Sequence, residues 1–81
     1  MRISVRLFAP FRRYLPPDSE GATCHIDLPA GATAADALIQ LDLPMDRPGT
    51  LVILVNGRHS EGEQVLQAGD VVAAFPATAG G

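Results

Sequence analysis

Lysine is missing: all six basic residues of this 81-residue chain are arginines. With no ε-amine to act as an acceptor, the domain cannot be joined to copies of itself through lysine side chains; as a tag it would not build chains. Cysteine is nearly missing too. Cys24 stands alone, which excludes an internal disulfide and suits a reducing cytosol, so a cytoplasmic location is expected. No apolar stretch approaches the roughly 18 residues of a membrane span. The opening Met1-Arg2-Ile3-Ser4-Val5-Arg6 alternates in polarity and does not form the apolar core of a signal peptide. The formal charge of −3 leaves no electrostatic footprint for nucleic acid. Neither nucleic acid nor membrane is therefore an expected partner. His25 and His59 with one cysteine lack metal-ligand spacing; they read as two surface histidines, and Cys24 as a small buried hydrophobe. No Ser/His/Asp arrangement, P-loop or GxGxxG motif is present, so the chain is not expected to be an enzyme in its own right, nor to bind a metal.

What is there suffices for one small domain. Hydrophobic residues make up 47% of the chain, although a core of this size rarely leaves more than about 3–5 kcal/mol of net stability. Ile3, Val5 and Leu7 alternate with Arg2, Ser4, Arg6 and Phe8, the pattern of a strand with one buried face. Pro10 fits the first turn of a short helix that Pro16-Pro17 must end. A second strand is expected over about Thr23 to Leu28. Thr33, followed three residues later by Asp36, marks a helix start. Ala34, Ala37, Leu38 and Leu41 give that helix an apolar face, and it should end near Asp42-Leu43-Pro44. Met45 to Thr50 reads as loop. Leu51 to Val55 is a third strand closed by Asn56-Gly57, a hairpin-turn signal. Gln64-Val65-Leu66 is expected as a very short strand, and Val71 to Phe75 as the last. Strands on either side of one capping helix imply a two-layer α+β sandwich, in which the first and last strands can lie side by side at the sheet centre.

Alternation also suggests a partner surface. If Leu51, Ile53 and Val55 point inward, Val52 and Leu54 join Phe8 and Phe75 on the outside, an exposed apolar patch of the kind that marks a partner site. A covering loop, Pro16 to Gly21, or a dimer is the competing explanation. Arg12 and Arg13 are candidates for a polar rim around that patch, or simply two solvated arginines. Ala77-Thr78-Ala79-Gly80-Gly81 has no bulky or charged side chain. It reads either as a thin tail that delivers its α-carboxylate into a narrow site on another protein, or as a frayed end of small residues. The tail by itself does not decide between them.

Four stretches extend the reading: Val5-Arg6-Leu7-Phe8-Ala9-Pro10-Phe11-Arg12, the run from Leu28 to Leu38, Leu54-Val55-Asn56-Gly57-Arg58, and the run from Leu66 to Pro76 that leads to Gly80-Gly81. Their order resembles the ubiquitin-like β-grasp fold, and more closely the MoaD/ThiS family of sulfur-carrier proteins. The resemblance implies a mixed sheet of four to five strands packed on one main helix over residues 1–76, with residues 77–81 as a flexible Gly-Gly tail. Phe75-Pro76 is more like the molybdopterin-synthase small subunit than the thiamine-pathway carrier. Ala77 stands where a second proline is usual, and the proline-rich loop from Pro16 to Gly21 is a further departure.

What the resemblance implies chemically has a plain rationale. A carboxylate is a poor electrophile, and the ordinary pKa of a terminal carboxyl, about 3.5, leaves it ionised at neutral pH. A ubiquitin-activating-type adenylating enzyme, using ATP, would convert the Gly81 carboxylate into an acyl adenylate. A sulfur donor would then displace AMP and leave a thiocarboxylate able to pass sulfur on. Gly80 and Gly81, lacking Cβ atoms, suit a narrow channel. No bound cofactor is implied, and a larger synthase subunit is a further implied partner. Phe8, Arg12, Leu54, Phe75 and Pro76 are the implied partner-binding residues. Alternatives are a carrier for thiamine or another pathway, a ubiquitin-like modifier conjugated through Gly81, and a pure interaction domain with an incidental tail.

Overall fold

The computed structural model describes residues 1–9, 11–45 and 51–77. Its elements, in chain order, are β1 (Arg2–Leu7), a 3-10 turn (Phe11–Tyr14), β2 (Thr23–Asp27), α1 (Ala34–Gln40), β3 (Leu51–Val55), β4 (Arg58–Ser60) and β5 (Val71–Pro76). The strands form one mixed sheet in the order β2-β1-β5-β3-β4. The first and last strands do lie side by side, parallel, with Val5 opposite Val72 and Leu7 opposite Ala74. The other three pairings are antiparallel. This is the expected α+β, ubiquitin-like β-grasp architecture, with five strands and one main helix.

Period-two alternation sets the faces. Ile3, Val5 and Leu7 of β1, Cys24 and Ile26 of β2, Ile53 and Val55 of β3, and Val72 and Ala74 of β5 are buried together with Ala34, Ala37 and Leu38 of α1. The helix therefore covers one face of the sheet only. Cys24 is the small buried residue that its position predicted, 4% exposed. Leu51 does not reach the interior fully; it is half-buried and packs against the core edge.

The helix start is closed on all sides. Asp36 N–H donates to Thr33 Oγ1 and Thr33 N–H donates to the Asp36 carboxylate, the reciprocal cap that the spacing predicted. The next two free donors, the N–H groups of Ala34 and Ala35, reach the carbonyls of Gln64 and Gly62. The returning chain thus takes up donors that a helix start leaves unpaired. Gly62 makes that approach possible: its φ is +94°, and a Cβ there would stand 3.3 Å from the Ala35 Cβ.

One expectation needs correction and two are refined. Gln64–Leu66, expected as a very short strand, is not one; the strand that follows the Asn56-Gly57 turn is Arg58–Ser60, paired with β3. Val65 makes only an isolated bridge to Thr33 and is 58% exposed, while Leu66 alone enters the core. The segment after β1 is a 3-10 turn, Phe11–Tyr14, with no buried residue; Pro10 lies outside the described residues. The helix ends at Gln40 with Leu41 as its C-cap, just short of the expected Asp42-Leu43-Pro44, because Asp42 turns left-handed at φ 65°. Asp42 N–H bonds to Ile39 O and Leu43 N–H to Leu38 O, the paired bonds of a Schellman C-terminus. The loop expected at Met45 to Thr50 falls, beyond Met45, outside the described residues.

Asp42 is costly in two ways: it holds a side chain in a conformation that glycine prefers, and it puts a negative charge at the negative end of the helix dipole. Asp42→Gly should raise stability by about 1 kcal/mol. Urea unfolding checks this, and an unchanged or lower midpoint contradicts it.

Candidate functional site

The face of the sheet not covered by α1 carries the residues that alternate outward. Strand register arranges them in rows. One row runs Thr23, Arg6, Ala73, Leu54, His59 across all five strands, since each is paired with the next. A second pairs Phe75 with Val52, and Phe8, just past β1, meets Phe75 edge to face, with ring centroids 6.1 Å apart and planes at 79°. A third places His25 beside Ser4 and Ser4 beside Val71.

The rows divide the open face into two halves. The β2 side is polar: Ser4 Oγ and His25 Nδ1 share a hydrogen bond of 3.0 Å, and Arg2 pairs with Asp27 at 3.6 Å. Both partners of that ion pair are largely exposed, so it contributes little. The β5–β3 side is apolar and forms an open cleft of about 380 Å³ lined by Arg6, Phe8, Leu54, Gly57, Val71, Ala73 and Phe75. Its depth follows from side-chain size. Ala73 sits at the middle of the row, and its methyl leaves a floor that Phe75, Phe8, Leu54 and Val71 overhang. Phe8 is 38% exposed, so the Pro16 to Gly21 loop does not cover it.

Among the described residues, Arg6 gives the cleft its one charge. Its guanidinium carbon lies 5.6 Å from the centre of the Phe8 ring, within reach of a cation–π attraction. Among the described residues no carboxylate approaches Arg6 within ion-pairing distance; the recorded ion pair is that of Arg2 with Asp27. Arg6 is thus a cation held over an aromatic ring beside an apolar hollow.

The other end of the cleft is held by Asn56 and Asp70. Asn56, at φ 53°, and Gly57, at φ 83°, make the tight hairpin turn that their sequence predicted. The Asn56 N–H donates to Val71 O at 2.8 Å, and Val71 N–H donates to Asn56 Oδ1 at 2.9 Å. The Asn56 amide also donates to Asp70 Oδ1, whose second oxygen accepts from Gln67 N–H. These two donors, the Gln67 N–H first and the Asn56 amide second, hold the Asp70 carboxyl below its ordinary value. Together they tie the hairpin turn to the start of β5, which places Gly57 next to Val71.

Of the expected site residues, the structure brings Phe8, Leu54 and Phe75 into one cleft. Arg12 lies on the exposed 3-10 turn and does not line it; its neighbour Arg13 stacks over Tyr14, 5.1 Å from the ring centre. Pro76 ends β5 opposite Leu51, half-buried, outside the cleft lining. Gly80 and Gly81 lie outside the described residues. Arg6, Gly57, Val71 and Ala73 were missed as site residues, although the outward alternation already placed Arg6, Val71 and Ala73 on this face. His25 and His59 are exposed, and the described residues contain no cluster of three metal-ligating side chains. No helix among them is long and apolar enough to cross a membrane.

Comparison with known proteins adds the family. The ThiS family model matches residues 5–81, nearly the whole chain. The chain belongs to the ThiS family. No curated protein matches it. Among solved structures, it is similar to SAMP1 from Haloferax volcanii, with TM-score 0.77, 25% identity and 100% of both chains covered. The small archaeal modifier protein 1 of H. volcanii superposes with TM-score 0.74 at 24% identity over 93% of this chain and 95% of that one, a likeness of fold. A candidate molybdopterin converting factor, subunit 1, from Pyrococcus furiosus is 28% identical, with TM-score 0.70 over 93% of this chain and 95% of that one. The chain thus belongs to a family of sulfur carriers or ubiquitin-like modifiers.

Two outcomes are expected from the geometry. Since the Asp70 carboxyl is lowered in the folded state, its contribution to stability is present above the unfolded value and is lost as pH falls through the folded one. The urea midpoint should therefore decline below about pH 4, and less steeply in Asp70→Asn; equal slopes would exclude the clamp. A Phe8→Ala, Phe75→Ala double-mutant cycle should give a coupling of about 0.5–1.5 kcal/mol. Additive losses would mean the rings do not interact.

Proposed function

We propose that this domain is a protein co-substrate, not an enzyme: a sulfur carrier whose Gly81 carboxylate is adenylated by a partner enzyme and converted to a thiocarboxylate. The observation that carries the reading is the family match running through Gly81, on a fold whose uncovered sheet face offers an apolar docking cleft. The chemistry needs that division of labour. A carboxylate must be given a good leaving group before sulfur can replace oxygen, and ATP on the partner enzyme supplies it. Ordering the thin tail in that partner's site costs about 1–2 kcal/mol for each residue fixed. Contacts from the folded body, at Phe8, Leu54 and Phe75, offset the loss. Arg12, on the exposed 3-10 turn, and Pro76, at the end of β5, would be further contacts outside the cleft.

For the acceptor, we favour molybdopterin synthesis, with a larger synthase subunit receiving the tail. The likeness to the Pyrococcus furiosus candidate converting factor and the Phe75-Pro76 pair support this. Conjugation to other proteins is the second reading, supported by the likeness to SAMP1. Both begin with the same adenylate, so covalent ladders on denaturing gels favour the modifier and a free thiocarboxylated monomer favours the carrier.

Intact-mass measurement after incubation with ATP, a sulfur donor and the cognate adenylating enzyme should show one oxygen replaced by sulfur. Gly81→Ala should react poorly, and a chain extended by one residue not at all; a normal shift on the extended chain sinks the proposal. Ala73→Leu, which fills the cleft without removing apolar surface, should raise the KM for activation about tenfold, equivalent to about 1.4 kcal/mol.

A further inference from the structure

We propose that Asn56-Gly57 is a latent site of self-modification: its contacts with Asp70 and Val71 hold the Asn56 side chain unreacted, and once the turn opens, deamidation there is irreversible and its product cannot rebuild the turn. Asn56 is the chain's only asparagine, and a glycine follows it. With no Cβ to shield it, the Gly57 nitrogen is free to reach back to the Asn56 side chain. That nitrogen gives its proton to solvent base and attacks Cγ. An N–Cγ bond forms, the Cγ–Nδ2 bond breaks, and ammonia leaves with a proton taken from water, so a succinimide ring remains. Water then opens the ring at either carbonyl. Opening at Cγ gives aspartate. Opening at the main-chain carbonyl carbon gives isoaspartate, in which the backbone runs through Cβ. The balance is one water in and one ammonia out, and no other reactant is needed.

The folded turn opposes the first step at both ends of the amide. Asn56 Nδ2 donates to Asp70 Oδ1 at 2.9 Å, and Asn56 Oδ1 accepts from Val71 N–H at 2.9 Å. Asn56 N–H, bonded to Val71 O at 2.8 Å, fixes the backbone of the same residue. These contacts fit a planar amide. Attack makes Cγ tetrahedral and carries Oδ1 and Nδ2 out of that plane, so the ring closes only after the clamp loosens. Asp70 opposes the second step as well. Its carboxyl, lowered first by Gln67 N–H and then by the Asn56 amide, is ionised at neutral pH. A carboxylate only accepts, so it has no proton to give the departing nitrogen. The product then meets the same carboxylate. Aspartate at position 56 has no donor for Asp70 and sets two like charges at hydrogen-bond distance, where ionising both is disfavoured. Isoaspartate lengthens a turn that sets Val55 opposite Arg58, and so breaks the β3–β4 register. Gly57 and Val71 line the open cleft, and the modification therefore falls at one end of it.

The test incubates the 81-residue chain in warm, mildly alkaline buffer. No adenylating enzyme takes part, so the outcome is separate from that of the sulfur-carrier reading. Deamidation is followed by intact mass, as the amide NH2 becomes OH, and by isoaspartate-specific methylation of the peptide that contains position 56. The native chain should react at least about tenfold more slowly than the chain unfolded in guanidinium chloride, the factor expected of two hydrogen bonds of ordinary strength. Asp70→Ala should react about fivefold faster than the native chain, as one lost bond predicts. Ile26→Val, which trims the core at β2 and leaves the clamp whole, should stay near the native rate. The deamidated chain, isolated by anion exchange, should unfold at a lower urea concentration than the native one. Equal rates in the native and unfolded chains overturn the proposal. So does an Asp70→Ala rate at or below the native one, since the carboxylate then assists the reaction. An Ile26→Val rate matching that of Asp70→Ala also overturns it, because global unfolding then sets the pace. A product as stable as the native chain does the same, since the turn has then been rebuilt. Should Asp70→Ala fail to fold, the native-to-unfolded ratio and the stability of the product still decide.

Discussion

The parallel pairing of β1 with β5 is the constraint on which the rest depends. It joins the two most separated strands of the chain at the centre of the sheet, and Val5 and Val72, opposite each other, are both fully buried. Such a contact closes the longest loop in the domain, so its entropy must be met by non-local burial and not by local propensity. It also has a geometric consequence. A chain whose last strand is central leaves the sheet at Pro76 from its middle, beside the end of β1. The aromatic pair Phe8–Phe75 stands at that exit. Docking surface and tail therefore come from one topological choice.

The one-sided helix supplies the second half of the arrangement. Because α1 covers a single face, the opposite face must be either polar or partnered. Here it is split by strand: β2 and the start of β1 carry Arg2, Ser4, His25 and Asp27, which pair with one another, while β5 and β3 carry the apolar cleft. A uniformly polar face would keep the domain solitary, and a uniformly apolar one would invite aggregation. The split gives one edge of the cleft a cation, Arg6 on Phe8, so a partner with a carboxylate next to an apolar side chain fits best. Charge at such a rim directs encounter and register more than it adds affinity.

Most of the sheet was legible from alternation alone, since β1, β2, β3 and β5 each turn one residue in two to the core and the next away from it. The helix start was equally legible in Thr33 and Asp36, because a capping box is a local interaction within four residues. What misled was local too. Gln64-Val65-Leu66 has the composition of a strand, but it is held by the helix start it caps, and Val65 stays in solvent. Arg58-His59-Ser60 lacks strand composition, and its pairing comes from the turn before it and from β3 alongside. Ser60, buried but polar, is accommodated because its hydroxyl accepts from Gly62 N–H. Asp42 hides the end of the helix, since a left-handed residue is expected to be glycine or asparagine. The cleft was half legible: alternation placed Phe8, Leu54 and Phe75 on one side, but its depth depends on Ala73 being small between larger neighbours. That fact appears only when register sets the three strands in a row.

On the proposed chemistry, carrier and modifier differ in what attacks the activated carbonyl, not in how it is activated. The domain's own surface then matters as much as its tail. An ε-amine on the open face would be a nucleophile beside the docking cleft. Arginine there keeps the rim charge that a partner can read and removes the competing nucleophile. Arg6, stacked over Phe8 in place of a lysine, satisfies both demands at one position. The composition and the cleft are in this sense a single adaptation: a surface that attracts a partner without consuming the group it presents.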